Sequence, residues 1–160
     1  MSLIDKLTVD EIGPDKIIIA HDMIKRTFAE FVAPDFSHTG KASFLDFINL
    51  EAMNDRIENG DSFILAALDD GDVAGVIEIS EYSYIRLLFV DKKYQGNGIA
   101  RLLLDEAYKR CRADWHDCSE LKVNSSLYAF EIYKKLGFEP VGEKQEKDGV
   151  VYIPMERKYL

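Results

Sequence analysis

Residues 82–124 read YSYIRLLFV DKKYQGNG IARLLLDEAYKRC RADWHDCS ELKVN. An apolar and aromatic run meets a turn with two glycines, QGNG, which opens directly into a segment whose apolar and charged residues recur at helical spacing. A second short apolar run closes the stretch. Strand, glycine turn, amphipathic helix and strand in that order form a βαβ unit, so YSYIRLLFV and ELKVN are expected to be parallel neighbours. In the helix, Ile99, Leu102, Leu103, Ala107 and Cys111 are expected inward, with Arg101, Asp105, Lys109 and Arg112 outward and paired at i,i+4.

On either side of this unit the pattern is that of short, turn-bounded elements. Upstream, SFILAAL, a DDGD turn and VAGVIEIS lead into YSYIRLLFV as an antiparallel meander. Before them, LIDKLTV reads as a short strand. Gly13-Pro14-Asp15 places a proline where a helix starts, and Ile17, Ile24, Phe28, Phe31 and Val32 recur near one helical face as far as Pro34. A second helix is expected from about Ala42 to Asn59, ended by Asn59-Gly60. Downstream, Ser125 or Ser126 caps a helix through Leu127, Ala129, Phe130, Tyr133 and Leu136, closed by Gly137 and Phe138. FEPVGEKQ and VVYIPMERKY then form a hairpin around Asp148-Gly149, with Pro154 pointing to an edge or a bulge. The expected fold is an α+β (mixed α/β) single domain over residues 1–160, a mixed, mostly antiparallel sheet with about four helices.

Length and composition agree with one domain: 160 residues, 47% of them hydrophobic, supply enough apolar surface for one core. The chain has no run of 18 apolar residues, and MSLIDKLTVD has neither the basic segment nor the apolar stretch of a signal peptide, so a cytoplasmic protein with no membrane partner is expected. The formal net charge of -9 opposes attraction to nucleic-acid phosphate and mildly favours a cationic partner. Cys111 and Cys118 are too few and too far apart for a disulfide framework or a CxxC site. His21, His38 and His116 are scattered without carboxylates at ligand spacing, so no metal is expected.

The chemistry of QGNG follows from its place. A turn that enters a helix N-terminus exposes unpaired amides, and the helix dipole adds about half a positive charge there. Gly96 and Gly98 lack a β-carbon, so an anion's oxygens can approach the main chain, and small Ala100 keeps the entrance open. A Walker loop would need Lys-Ser/Thr where Ile99-Ala100 stand. A dinucleotide fingerprint would need a third small residue where Arg101 stands and an acid where ELKVN ends in Asn124. A glycine turn used only for geometry remains the competing reading.

The surrounding residues extend this reading. Gln95, Gly98 and Ala100 match the pattern Q/R-x-x-G-x-G/A, and Asn124, Ala129, Tyr133, Gly137 and Phe138 supply a second segment of the form N-x(4)-A-x(3)-Y-x(3)-G-F. In these two motifs, their order and the terminal hairpin, residues 61–160 resemble the GNAT superfamily of acyl-CoA-dependent N-acetyltransferases. The resemblance implies a sheet of about six or seven strands with a splayed parallel pair. It implies that the amides of Gln95, Gly96, Asn97, Gly98, Ile99, Ala100 and Arg101 hold the pyrophosphate of coenzyme A. It also implies that free main-chain groups of Leu88, Phe89 and Val90 pair with the pantetheine arm, that an N–H near Leu88 or Phe89 polarises the thioester carbonyl, and that Asn124 contacts the pantetheine.

Acetyl transfer to an amine further requires protonation of the departing thiolate and a neutral amine. Tyr133 is the expected acid, against the alternative of a core tyrosine on the face of Ala129, Phe130 and Leu136. Glu78 in VIEIS, near Tyr82, Tyr84 and Arg86, is the expected base, directly or through water, against the alternative of a solvated glutamate. Phe28, Phe31, Phe36, Phe44 and Phe47 are candidate walls of the acceptor pocket. The expected activity is transfer of an acetyl group from acetyl-CoA to a primary amine by direct attack. A non-catalytic acyl-CoA-binding sensor or interaction module is the alternative. The acceptor is expected to be a small-molecule or peptide amine, such as a polyamine, an aminoglycoside or an amino acid, and a homodimer is left open.

Overall fold

The computed structural model describes residues 2–159, so Met1 and Leu160, the two ends of the expected unit, lie outside the described residues. The βαβ unit consists of β4 (Tyr84–Val90), α5 (Ile99–Asp114) and β5 (Glu120–Ser125). Preceding it are α1 (Leu3–Lys6), β1 (Thr8–Glu11), α2 (Ile18–Thr27), α3 (His38–Phe47), α4 (Leu50–Glu58), β2 (Ser62–Asp69) and β3 (Asp72–Ser80). Following it are α6 (Phe130–Lys135), β6 (Glu139–Pro140), β7 (Gln145–Lys147) and β8 (Val150–Lys158). The strands join in the order β1-β2-β3-β4-β5-β8-β6, with β7 also on β8. All pairings are antiparallel except β4 with β5. This is the mixed, mostly antiparallel sheet expected, and among the described residues no helix is long and apolar enough to cross a membrane.

Two features of β4 position the site. Its parallel pairing to β5 is confined to Tyr84 with Lys122 and Ile85 with Val123, so Leu87 to Val90 run on without a neighbour on that side. Against β3, Glu78 pairs with Leu87 and Ile79 with Ile85, which leaves Arg86 as the extra residue of a bulge. A bulge bends its strand and increases the local twist, and here it lies where the two parallel strands begin to part.

The sheet is covered on both faces. On one, Ile99, Leu103, Leu104, Ala107 and Cys111 of α5 pack with Tyr133, Leu136 and Phe138 against Ile77, Ile79 and Ile85. On the other, Ile17, Ala20, Met23, Ile24, Ile48 and Met53 pack against Ile64, Val76 and Leu87. Phe28, Val32 and Ala33 form a smaller cluster beside the second face, with Phe36 and Phe44 against it.

Several local expectations are corrected, each by side-chain chemistry or backbone geometry. The opening strand begins only at Thr8, because the Asp5 carboxylate accepts from the Ser2 amide and hydroxyl and holds Leu3–Lys6 helical. The helix expected over 42–59 is two helices: the Asn49 side chain accepts from the Glu51 amide at 2.9 Å and starts α4 afresh. β4 begins at Tyr84, since Glu81 and Tyr82 hold φ of 52° and 65° in the preceding turn. α6 begins at Phe130, after a turn in which Ser126 Oγ accepts from the Ala129 amide. Leu104 is buried in α5, while Leu102 is only partly covered. Pro154 lies inside the sheet between β5 and the β6/β7 side, at the gap where β8 exchanges β7 for β6 as its partner.

Candidate active site

QGNG forms the entrance to α5. Gly96 and Gly98 hold φ of 81° and 82°, and Gly98 is the N-cap residue, a left-handed conformation that a side chain disfavours. The Asn97 side chain bridges back to the Tyr94 carbonyl at 2.8 Å and the Gln95 carbonyl at 3.2 Å, which fixes the turn from within. Among the described residues, the amides of Gly96 through Arg101 find no acceptor, and the first bond into the helix from this turn runs from the Leu102 amide to the Gly98 carbonyl. Such a row of unpaired donors at a helix N-terminus is chemically suited to an anion. Arg101 and Lys135 stand beside it, Arg101 donating to the Lys135 carbonyl at 3.0 Å.

The loop is tied to the free edge of β4. Gln95 Nε2 donates to the Val90 carbonyl at 3.1 Å, so the main-chain groups of Val90, and of Leu88 two residues earlier, turn toward the gap left by β5. Those of Phe89 turn the other way, toward β3, where its carbonyl lies 3.0 Å from a β-carbon built on Gly75. Of the two main-chain N–H groups expected as candidates there, at Leu88 and Phe89, only that of Leu88 faces the gap. Phe89 contributes its ring, edge-on to Phe44 at 6.1 Å.

A cleft of about 870 Å³ runs through this gap, lined by the loop, by Leu88, Phe89 and Val90, and by Asn124 and Tyr133 across from them. Asn124 is exposed to it from β5. Tyr133 is 5% exposed, its ring edge-on to Phe138 and its hydroxyl without a hydrogen-bond partner among the described residues. Burial raises its pKa well above the ordinary tyrosine value, so it stays protonated across the physiological range. Of the expected anion-loop residues, Asn97 alone is not in the lining; its side chain is spent on the turn.

Beyond the bulge the cleft continues between α3 and the β7–β8 hairpin. Phe36, Phe44 and Phe47 line it as expected, whereas Phe28 is stacked beneath Phe44 at 4.0 Å and Phe31 is stacked on Tyr128 at 4.9 Å. The hairpin roof, with Val150, Tyr152 and Lys147, was not legible as part of the site. It is pinned to α3: the Ser37 amide donates to the Gly149 carbonyl at 3.1 Å, and a β-carbon on Gly40 would stand 2.1 Å from that oxygen. Two glycines 40 and 149 meeting back to back is a contact between segments far apart in sequence, and no local pattern announces it.

Glu78 is not among the lining residues. It is fully buried, its two oxygens taken by Arg56 Nε at 2.9 Å and Nη2 at 3.1 Å, and Ser62 Oγ donates to it at 2.6 Å. Arg56 also donates to the Phe47 carbonyl at 2.8 Å and lies 3.8 Å over the Phe47 ring. Glu78 thus belongs to a clamp joining β3, α4 and the end of α3, and nothing connects it to an acceptor. Tyr82 points away as well, 57% exposed and tilted against Trp115. His21 is occupied with the Ile48 carbonyl, and among the described residues no three His, Cys, Asp or Glu side chains gather as a metal would need.

This arrangement can be compared with known proteins. A family profile described as an acetyltransferase (GNAT) domain matches residues 32–159. The chain belongs to the GNAT acetyltransferase family. Its class of activity is accordingly acyl transfer. Solved GNAT structures share the fold at low identity. A GCN5-related N-acetyltransferase from Rhodopseudomonas palustris superposes with a TM-score of 0.79 at 17% identity, covering 94% of each chain. The PaiA N-acetyltransferase of Thermoplasma acidophilum, solved in complex with coenzyme A, gives 0.77 at 20% identity, covering 96% of this chain and 99% of that one. A GNAT acetyltransferase from Staphylococcus aureus Mu50 gives 0.73 at 16%, with 96% and 99% covered. No curated protein matches the chain in sequence.

Proposed function

We propose that this GNAT domain transfers an acetyl group from acetyl-CoA to a primary amine by direct attack. The observation that carries the reading is the β4–β5 split with its free main-chain groups, leading from an anion-binding loop to a buried tyrosine. The unpaired amides of Gly96 to Arg101 suit a pyrophosphate, and Arg101 and Lys135 add positive charge beside it. The unpaired edge at Leu88 and Val90 suits the amides of a pantetheine arm, which would add as a strand where β5 has turned away. Asn124 is available to the same arm. The Leu88 N–H would then face the thioester carbonyl, whose oxygen gains negative charge when the amine attacks.

In this reaction the amine nitrogen bonds to the carbonyl carbon and the carbon–sulfur bond breaks. The sulfur leaves as thiolate and takes the Tyr133 proton, the nitrogen gives its surplus proton to water, and Tyr133 regains a proton from water to restore the acid. A tyrosine shifted upward by burial remains a usable acid here, because the same dry environment raises the proton affinity of the thiolate. With Glu78 locked to Arg56, the base is solvent and not a carboxylate. Coenzyme A release from acetyl-CoA across a panel of amines tests the reading. Thiol release that depends on an amine supports it, and tight acetyl-CoA binding with no thiol release from any amine favours the non-catalytic sensor.

A further inference from the structure

We propose that the acceptor end of the cleft selects an amine that also carries a carboxylate beside an apolar or aromatic body, and that Arg86 binds the carboxylate. The inference rests on the reading of the cleft as an acyl-CoA site and adds the chemistry of the second substrate.

Arg86 is the extra residue of the β4 bulge, so its side chain is released from the regular alternation of the strand. It is held where it stands by two contacts. Nε donates to Ser80 Oγ at 2.7 Å, and the guanidinium lies 4.4 Å over the Tyr84 ring. Its one carboxylate neighbour among the described residues is Glu81, 3.8 Å away and 74% exposed, a weak surface pair. The remaining N–H groups of a fork already fixed in place are suited to two parallel bonds with a carboxylate.

The surrounding charges point the same way. The buried acid Glu78, opposite Leu87 on β3, is saturated by Arg56 and Ser62. The lining beyond the bulge offers Arg86 and Lys147, with Asp148, exposed on the hairpin turn, as its sole acid. A polyamine would meet two cations there and no buried counter-charge. The overall charge of -9 draws cations from a distance, but it is screened beyond about 8–10 Å, so the groups in contact decide what is held. Phe44, Phe47 and Tyr152 provide apolar surface for the rest of the molecule. Arg86 precedes Leu88 by two residues, about 7 Å of strand, which favours a short spacer between amine and carboxylate, as in an amino acid.

The test is a binding titration of N-acetyl-L-phenylalanine, a product of the proposed class, against N-acetyl-L-phenylalaninamide, with and without saturating coenzyme A. The wild-type protein should bind the acid at least about tenfold more tightly than the amide, the effect expected of charge-assisted hydrogen bonds. Arg86→Gln should bring the ratio near one, and Arg86→Lys, which keeps charge and loses the fork, should give an intermediate ratio. Coenzyme A affinity, read at the distant glycine loop, reports whether each variant is folded. A wild-type ratio at or below one overturns the proposal, as does a preference that survives Arg86→Gln. If coenzyme A itself does not bind, the acyl-transfer reading fails, while the acid-to-amide ratio measured without it still decides the role of Arg86.

Discussion

Replacing Tyr133 by phenylalanine removes one hydroxyl from a site where activity should fall while stability holds. If that hydroxyl protonates the departing thiolate, turnover should fall by about 100-fold, the ordinary contribution of a general acid. That corresponds to about 2.7 kcal/mol of lost transition-state stabilisation. Stability should not fall with it. The hydroxyl makes no hydrogen bond among the described residues, and the ring, 5% exposed and seated on Phe138, is retained. Deleting a hydroxyl that faces the cleft and has no protein partner among the described residues should leave stability within about 0.5 kcal/mol, a Tm change of no more than about 2 °C in a chain of this size. Thiol release from acetyl-CoA with a saturating amine measures the first effect, and thermal denaturation of the same preparation measures the second. Unchanged turnover would remove Tyr133 from the chemistry. A Tm lowered by several degrees, with activity falling only as the folded fraction falls, would show a core tyrosine and nothing more.

Other perturbations read other parts of the account. Arg56→Met leaves the Glu78 carboxylate buried without its cation and should cost about 3–5 kcal/mol by urea denaturation, whereas adding Glu78→Leu to it should recover most of the loss. Gly40→Ala forces a β-carbon onto the Gly149 carbonyl and should cost about 1–3 kcal/mol; by displacing the hairpin roof it should raise the acceptor KM while leaving coenzyme A affinity unchanged. Burial pushes the Cys111 thiol and the Tyr159 hydroxyl each up to about 12, from ordinary values of 9.0 and 10.0. The unfolded chain therefore loses these protons first, so stability should hold below about pH 9 and decline as pH climbs toward 12, visible as a falling denaturant midpoint.

What could be read from the sequence was local. Strand, glycine turn and helix over Ile85 to Cys111 are fixed by residue periodicity and by Gly96 and Gly98, whose φ values require what glycine allows. The terminal hairpin follows in the same way from Asp148-Gly149. What escaped depends on contacts between distant segments. VIEIS shows that Glu78 alternates with apolar neighbours, but not that Arg56 reaches down from α4 to enclose it. The bulge at Arg86 and the end of β5 pairing after Ile85 are set by how whole strands meet, and the roof over the acceptor end by Gly40 against Gly149. Short capping interactions at Ser2, Asn49 and Ser126 moved element boundaries by a few residues because each satisfies backbone groups that apolar periodicity ignores.

The central claim is that the split between β4 and β5 is a coenzyme A site, and thermal denaturation in the presence of acetyl-CoA, NAD and ATP in parallel tests it most directly. Acetyl-CoA at about 100 times its dissociation constant should add about 2.7 kcal/mol and raise Tm by several degrees, with little effect from the other two. A rise with NAD and none with acetyl-CoA would contradict the account from the glycine loop onward.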